Sequence, residues 1–298
     1  MTTRPLPAVL MARPLAVAGD YVRLTKPRII SLLLVTTAGA MFVAAAGMPD
    51  GWLLVWTMVG GYLAAGGANA INHYIDRDID GRMRRTTERP VAAGRVAPAR
   101  ALAFGVALGV LSALVLGLAA NWLAAGLALL GLVLYVGVYT LWLKRTSVHN
   151  IVIGGSAGAV PPLVGWAAVT GDLGLSAWLL FAIVFYWTPP HFWALALMLE
   201  RDYAAAGIPM LPVVRGVRET KRQILLWTLV MLGVSILPVV SGAAGVTYLV
   251  SALALGAVFL AFAALLARDP GIRWARATFH YSLLYLALIF VALVVDAA

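Results

Sequence analysis

The chain has 298 residues, of which 62% are hydrophobic and 11% charged, with no cysteine and a formal charge of +10. A soluble domain of this length would not be so apolar, and the lack of cysteine excludes both a disulfide framework and a thiolate metal site. The basic balance does not call for nucleic acid as a partner, because in a membrane protein an excess of Lys and Arg marks the cytoplasmic loops.

The opening stretch Met1 to Arg23 carries prolines and arginines but no long apolar core, so no cleaved signal peptide is expected, and residues 1–23 read as a flexible cytoplasmic N-terminus. Nine apolar segments of transmembrane length follow. They run from about Ile29 to Gly47, Trp52 to Ile71, Ala101 to Ala120, Trp122 to Leu143 and Asn150 to Val169. The last four run from about Ser176 to Leu199, Ile224 to Ser241, Val246 to Ala267 and Phe279 to Val295. Nine spans place all 22 Lys and Arg at the N-terminus or after the second, fourth, sixth and eighth segments. The other side receives only Asp50, Asp172 and Asp296. By the positive-inside rule the N-terminus is cytoplasmic and the C-terminus outside. The whole chain, 1–298, reads as one all-α polytopic membrane domain.

The second segment ends in Asn72-His73-Tyr74-Ile75-Asp76-Arg77-Asp78-Ile79-Asp80. Side chains four apart share a helix face, so Asn72, Asp76 and Asp80 form an oxygen ladder ~12 Å long. Asp78 lies ~200° round the helix from Asp76 and reads as an ordinary ion-pair member. Stacked carboxylates repel unless a cation sits among them, and Mg²⁺ takes hard oxygen ligands while bridging to substrate phosphates. A solvated face paired to Arg77, Arg82, Arg84 and Arg85 is the plainer reading. Against it, Asn72 and Asp76 end an apolar helix, where uncompensated polar groups are expensive. Guanidinium forks in the loop that follows, Arg85 and Arg89 among them, suit phosphate oxygens. Lys26 and Arg28 before the first segment, and Lys144 and Arg145 after the fourth, are similar short cationic pairs.

The sixth segment ends in Leu199-Glu200-Arg201-Asp202-Tyr203, a second acidic end on the same side as the first. Two such ends could form opposite walls of one pocket. His191 follows Pro189-Pro190 inside that segment, and a histidine in an apolar span faces a cavity or a partner more often than lipid. Pro161-Pro162 and Pro189-Pro190 are expected to kink their helices.

The Asn72/Asp76/Asp80 ladder resembles the UbiA superfamily of intramembrane prenyltransferases. Further stretches resemble the branch of that superfamily that farnesylates heme. These are Leu24-Thr25-Lys26-Pro27-Arg28, Asn150 to Gly155, Pro161 to Gly171, Pro190-His191-Phe192-Trp193, and Asp202-Tyr203 with Ile208 to Val214. The resemblance implies nine helices around a central cavity, with Mg²⁺ and a prenyl diphosphate held by two aspartate-rich motifs. The second family motif is Asp-x-x-x-Asp, and here the last carboxylate of Glu200-Arg201-Asp202-Tyr203-Ala204 is missing, so Asp202 is the residue carried over. The implied reaction moves farnesyl from farnesyl diphosphate to a vinyl group of heme b with addition of water, giving heme O and diphosphate. Asn72, Asp76, Asp80 and Asp202 would then hold the metal, with Lys26, Arg28, Arg85, Lys144 and Arg145 near the phosphates and His191 against heme. A downstream heme A synthase is the partner such a product implies. Two rivals remain at this level: a UbiA-type transferase with an aromatic quinone-precursor acceptor, and a secondary transporter. The transporter fits poorly, because coupling residues belong near the bilayer midplane and here the carboxylates cluster at one membrane edge.

Overall fold

In a bilayer an apolar run satisfies its own backbone polar groups only as a helix or a closed barrel. The computed structural model, which describes residues 14–297, is helical throughout its regular structure. Among the described residues nine helical segments are long and apolar enough to cross a membrane. They are α2 (Pro27–Ala44), α3 (Gly51–Ile75), α5 (Pro98–Ala119), the fourth span Trp122–Thr146, the fifth span Asn150–Thr170, α10 (Leu175–Met198), α12 (Leu211–Val240), α13 (Val246–Arg268) and α14 (Ala275–Ala297). Two spans are composite. The fourth is α6 (Trp122–Val133), a π-helical stretch at Leu134–Leu143 and the short α7 (Lys144–Thr146), and the fifth is α8 (Asn150–Gly154) and α9 (Ser156–Thr170). Short helices lie outside the spans: α1 (Pro14–Thr25), α4 (Arg77–Asp80) and α11 (Glu200–Ala205).

Packing arranges the spans as two groups that share α9 and close through α14 on α2. In one group α3 lies along α5, and α6 along α5 and α9; in the other α10 lies along α12, and α13 along both α12 and α14. Exposed apolar side chains such as Trp52, Leu118 and Val240 face outward, as lipid-facing surfaces should. Two helix crossings depend on glycine. A Cβ on Gly67 of α3 would stand 2.6 Å from the Gly105 carbonyl of α5, and one on Gly165 of α9 would stand 2.2 Å from the Thr37 carbonyl of α2. Small residues at such contacts let backbones approach closely where lipid supplies no hydrophobic drive.

Three expectations are corrected. Residues 14–23 are not a flexible tail but most of α1. Leu24 is fully buried, and the Tyr21 ring meets Phe104 edge-on at 5.0 Å, so α1 is held by side-chain packing that no apolar run announces. Residues 1–13, the rest of the expected flexible segment, lie outside the described residues. The seventh span starts at Leu211 rather than near Ile224, because its basic first turns are helical, with a bend at Gly216 (φ 78°, ψ 170°). The Asn72/Asp76/Asp80 ladder is not one unbroken helix: α3 ends at Ile75, and Asp76 (φ −82°, ψ 3°) joins it to α4.

Candidate active site at the α3–α4 edge

Although Asp76 breaks the helix assignment, the chain keeps its helical course. Asp76 N–H donates to the Asn72 carbonyl at 2.9 Å and Asp80 N–H to the Asp76 carbonyl at 2.8 Å. The three ladder side chains therefore stay in step, and all three are buried: Asn72 2%, Asp76 0% and Asp80 1% exposed. Such burial of two carboxylates requires compensation, and each ladder residue has its own cation. Lys26 Nζ donates to Asn72 Oδ1 at 2.8 Å, Lys144 Nζ to Asp76 Oδ2, and Arg89 Nη1 to both oxygens of Asp80 at 2.8 and 2.9 Å. Asn72 Nδ2 completes the row by donating to Asp76 Oδ2 at 2.7 Å and to Thr140 Oγ1 at 3.2 Å. Asp76 Oδ1 is buried and accepts no hydrogen bond, with Arg145 Nη2 3.7 Å away as a second cation.

The cations arrive from three directions. Lys26 is the joint between α1 and α2 and takes a left-handed backbone conformation (φ 56°, ψ 62°) that L residues adopt only at a cost of about 1–2 kcal/mol. That joint is tied to α3, since Asn69 Nδ2 donates to the Thr25 carbonyl at 2.9 Å and the Thr25 and Tyr62 hydroxyls meet at 2.9 Å. Burial, with Arg89 and Lys144 nearby, pushes the Lys26 ammonium below its ordinary range. A strained residue that places a charge on a polar ladder has the character of a functional site. Lys26→Ala and Lys26→Gly are expected to lose activity alike, because both remove the ammonium. Glycine also relieves the left-handed backbone, so Lys26→Gly should be the more stable by about 1 kcal/mol, read as a higher Tm in detergent.

Arg89 comes from the loop after α4. Thr86 fixes that loop by donating its hydroxyl to the Asp80 carbonyl at 2.8 Å. Lys144 comes from the end of the π-helical stretch, whose Tyr135 and Tyr139 rings stack at 5.6 Å one helical turn before Thr140 and Lys144. Beside the ladder, Arg23, Lys26, His73, Arg85, Glu88, Arg89 and Pro90 line an open cleft of about 240 Å³. Its four cationic side chains against one carboxylate suit an anion with several oxygens. His73 is 2% exposed, and neither of its ring nitrogens has a partner.

Not every expected residue reaches this place. Arg28 is exposed at the start of α2 and does not line the cleft. Arg145 does reach the ladder, its Nη2 standing 3.7 Å from Asp76 Oδ1, while it clamps Asp78 through Nη1 and Nη2 at 2.7 and 2.8 Å and donates to the Ile75 carbonyl at 3.0 Å, which pins the α3–α4 joint. That guanidinium holds the Asp78 carboxyl down to about 2. Asp202 is half-buried on α11. Its neighbour Tyr203 is buried in the same apolar cluster as Ile79 and Met83, against which Tyr139 packs. Burial pushes the Tyr203 phenol up, and Arg85 lies beside its hydroxyl. No three acidic, His or Cys side chains among the described residues gather into a metal cage, and Asp202 is not joined to Asp76 and Asp80.

The donor set nonetheless fits one hard cation. It is all oxygen, and it includes a carboxylate atom that accepts no hydrogen bond. Mg²⁺ commonly uses one or two carboxylates and takes its other ligands from water and substrate phosphates. Sequence reasoning missed Arg89 as the partner of Asp80, the Thr140 contact and the two stacked tyrosines. Only the arginine-rich loop carried a signal for any of them.

Away from the ladder, His191 is sandwiched between Trp187 and Phe279, with ring centroids 4.3 and 4.8 Å away. Its Nδ1 lies 2.6 Å from Ser282 Oγ, which itself donates to the Phe279 carbonyl at 2.6 Å. A hydroxyl has one proton, so Ser282 must accept from Nδ1–H. That tautomer leaves the lone pair of His191 on Nε2.

The model of the UbiA prenyltransferase family matches residues 32–294. A protein named protoheme IX farnesyltransferase from Roseiflexus sp. (strain RS-1) is 53% identical over 98% of this chain and 58% of its own length. One of the same name from Gloeobacter violaceus is 54% identical over 95% of this chain and 93% of its own length. The chain spans about half the length of the first curated relatives it matches. Among solved structures, a UbiA homologue from Archaeoglobus fulgidus bound to DMAPP and Mg²⁺ superposes with a TM-score of 0.66, covering 92% of this chain and 99% of that one. At 16% identity that likeness establishes the fold.

Proposed function

The chain belongs to the UbiA prenyltransferase family, and on that premise we propose that it transfers farnesyl from farnesyl diphosphate to a vinyl group of heme b, producing heme O. The observation that carries the prenyl-donor half is the buried ladder Asn72, Asp76 and Asp80 beside a cleft lined by Arg23, Lys26, Arg85 and Arg89. The acceptor half is supported by 54% identity to a protoheme IX farnesyltransferase of nearly the same length. The integral membrane protein sits with this site at the cytoplasmic edge of a prokaryotic plasma membrane, its N-terminus inside and C-terminus outside.

The bond from farnesyl C1 to the diphosphate oxygen breaks, and its electron pair leaves with the diphosphate. Charge growing on that oxygen is stabilised by donors fixed in advance at low dielectric, here Lys26, Arg85 and Lys144. Asn72, Asp76, Asp80 and Asp202 are the residues that would hold Mg²⁺, which would supply Lewis acidity to the phosphate oxygens. The vinyl carbon supplies electrons to C1, and a water oxygen closes on the neighbouring carbon and releases a proton. Farnesyl diphosphate, heme b and water thus give heme O, diphosphate and H⁺. The apolar interior shields the allylic cation from early capture by water.

His191 is assigned to heme. With Nδ1–H held by Ser282, the ring presents Nε2 in the tautomer an iron ligand needs, and a hydrogen bond at the second nitrogen orients such a ligand. Incubating purified protein with Mg²⁺, farnesyl diphosphate and either heme b or 4-hydroxybenzoate, followed by mass spectrometry, should give a farnesylated heme and no prenylated benzoate. The reverse result would replace the acceptor. His191→Ala is expected to weaken heme binding about tenfold or more, and unchanged heme affinity and turnover would remove His191 from the site.

A further inference from the structure

We propose that His73 is a further substrate-contacting residue, whose ring hydrogen-bonds the phosphate that carries the farnesyl chain. The inference deepens the reading above and rests on it. His73 is 2% exposed, and neither ring nitrogen has a hydrogen-bond partner among the described residues. In its neutral form an imidazole has one donor and one acceptor, and a buried polar group left without a partner lowers stability. A side chain kept only for packing gains nothing from two such atoms. The same ring lines the cleft beside the ladder, together with Lys26 and Arg89. At about 240 Å³ that cleft has room for a polyatomic anion on one nitrogen and a water on the other.

Depth decides which phosphate the ring meets. α3 runs toward the cytoplasmic edge, and Asp76 and Asp80 follow His73 in the chain. At ~1.5 Å rise per residue, His73 lies ~4.5 Å farther along α3 into the membrane than Asp76, and ~10 Å farther than Asp80. Farnesyl occupies the apolar interior, so the phosphate bonded to its C1 stands deeper than the terminal one. His73 therefore meets the inner phosphate, while Arg89, already on Asp80, stands with the outer one. Residue 73 is also ~100° round the helix from Asn72, so the ring stands beside the ladder oxygens and does not compete for their cation. An N–H on the inner phosphate stabilises the oxygen that C1 leaves, because charge grows there as the bond breaks.

The test measures binding of farnesyl thiolodiphosphate, an unreactive analogue, to the full-length protein in detergent with Mg²⁺ present. His73→Leu removes both nitrogens at similar volume. It should weaken analogue binding about tenfold and leave Tm at or above the wild-type value. Farnesyl monophosphate, which has only the inner phosphate, should lose the same factor. His73→Asn and His73→Gln each restore an amide near one of the two ring nitrogens, and at least one of them should regain most of the affinity. Unchanged analogue affinity in His73→Leu would remove His73 from the substrate site and leave the metal-diphosphate reading standing. A lower Tm together with weaker binding in all three variants would mark a packing role and overturn the proposal. Weaker diphosphate binding with unaltered monophosphate binding would put the ring on the outer phosphate, against the assignment. A wild-type protein that does not bind the analogue would overturn both readings.

Discussion

Asp76→Asn is expected to lower farnesyl transfer by roughly two to three orders of magnitude, the scale seen when one fixed charge-stabilising group leaves a site. The carboxylate is fully buried, receives Lys144 and Asn72 on one oxygen, and has Arg145 Nη2 3.7 Å from the other, which accepts no hydrogen bond. The amide preserves shape and one acceptor but removes the charge that attracts a divalent ion. It also leaves the Lys144 ammonium buried without a counter-charge, and breaking a buried pair from one side costs about 3–5 kcal/mol. Part of any loss could therefore be structural. The double variant Asp76→Asn with Lys144→Met separates the two causes, because it removes the stranded charge along with its partner. Its Tm should recover toward wild type while turnover stays low. Recovery of turnover together with Tm would mean that Asp76 acts only as a structural partner of Lys144.

The spans were legible because charge placement is a global constraint. One miscounted helix would have scattered the 22 Lys and Arg over both faces, and the nine spans of the structure match the nine segments with shifts confined to their ends. The ladder was legible because a spacing of four is local. What was hidden depends on contacts between distant parts of the chain. Thr140 meets Asn72 across 68 positions, and Arg89 reaches back to Asp80 through a loop with no helical period. The π-helical stretch that aims Lys144 leaves no mark in a pattern of uniformly apolar residues. α1 was missed for a related reason, since Leu24 and Tyr21 gain their burial from α3 and α5 rather than from their neighbours in sequence. Arg28 shows the opposite error: two residues after Lys26 in the chain, it is exposed, and only Lys26 sits at the left-handed joint.

Chelation should stop turnover without unfolding the protein. Where a metal is structural, its binding free energy is folding free energy, and a chelator denatures the domain. Here each ladder residue already has an internal cation: Lys26 on Asn72, Lys144 on Asp76 and Arg89 on Asp80. These pairs neutralise the buried oxygens when no ion is bound, so the fold does not wait for Mg²⁺. An ion at a hundred times its Kd adds only about 2.7 kcal/mol, which for a chain of this size is a Tm shift of about 5 °C or a little more. EDTA is therefore expected to leave Tm within about 5–10 °C of its Mg²⁺-saturated value while farnesyl transfer falls to background and returns when Mg²⁺ is added. A collapse of Tm on chelation would show that the internal cations do not hold the ladder. Turnover that survives exhaustive chelation would remove the ion from the reaction and leave Lys26, Lys144 and the cleft arginines to stabilise the leaving diphosphate alone.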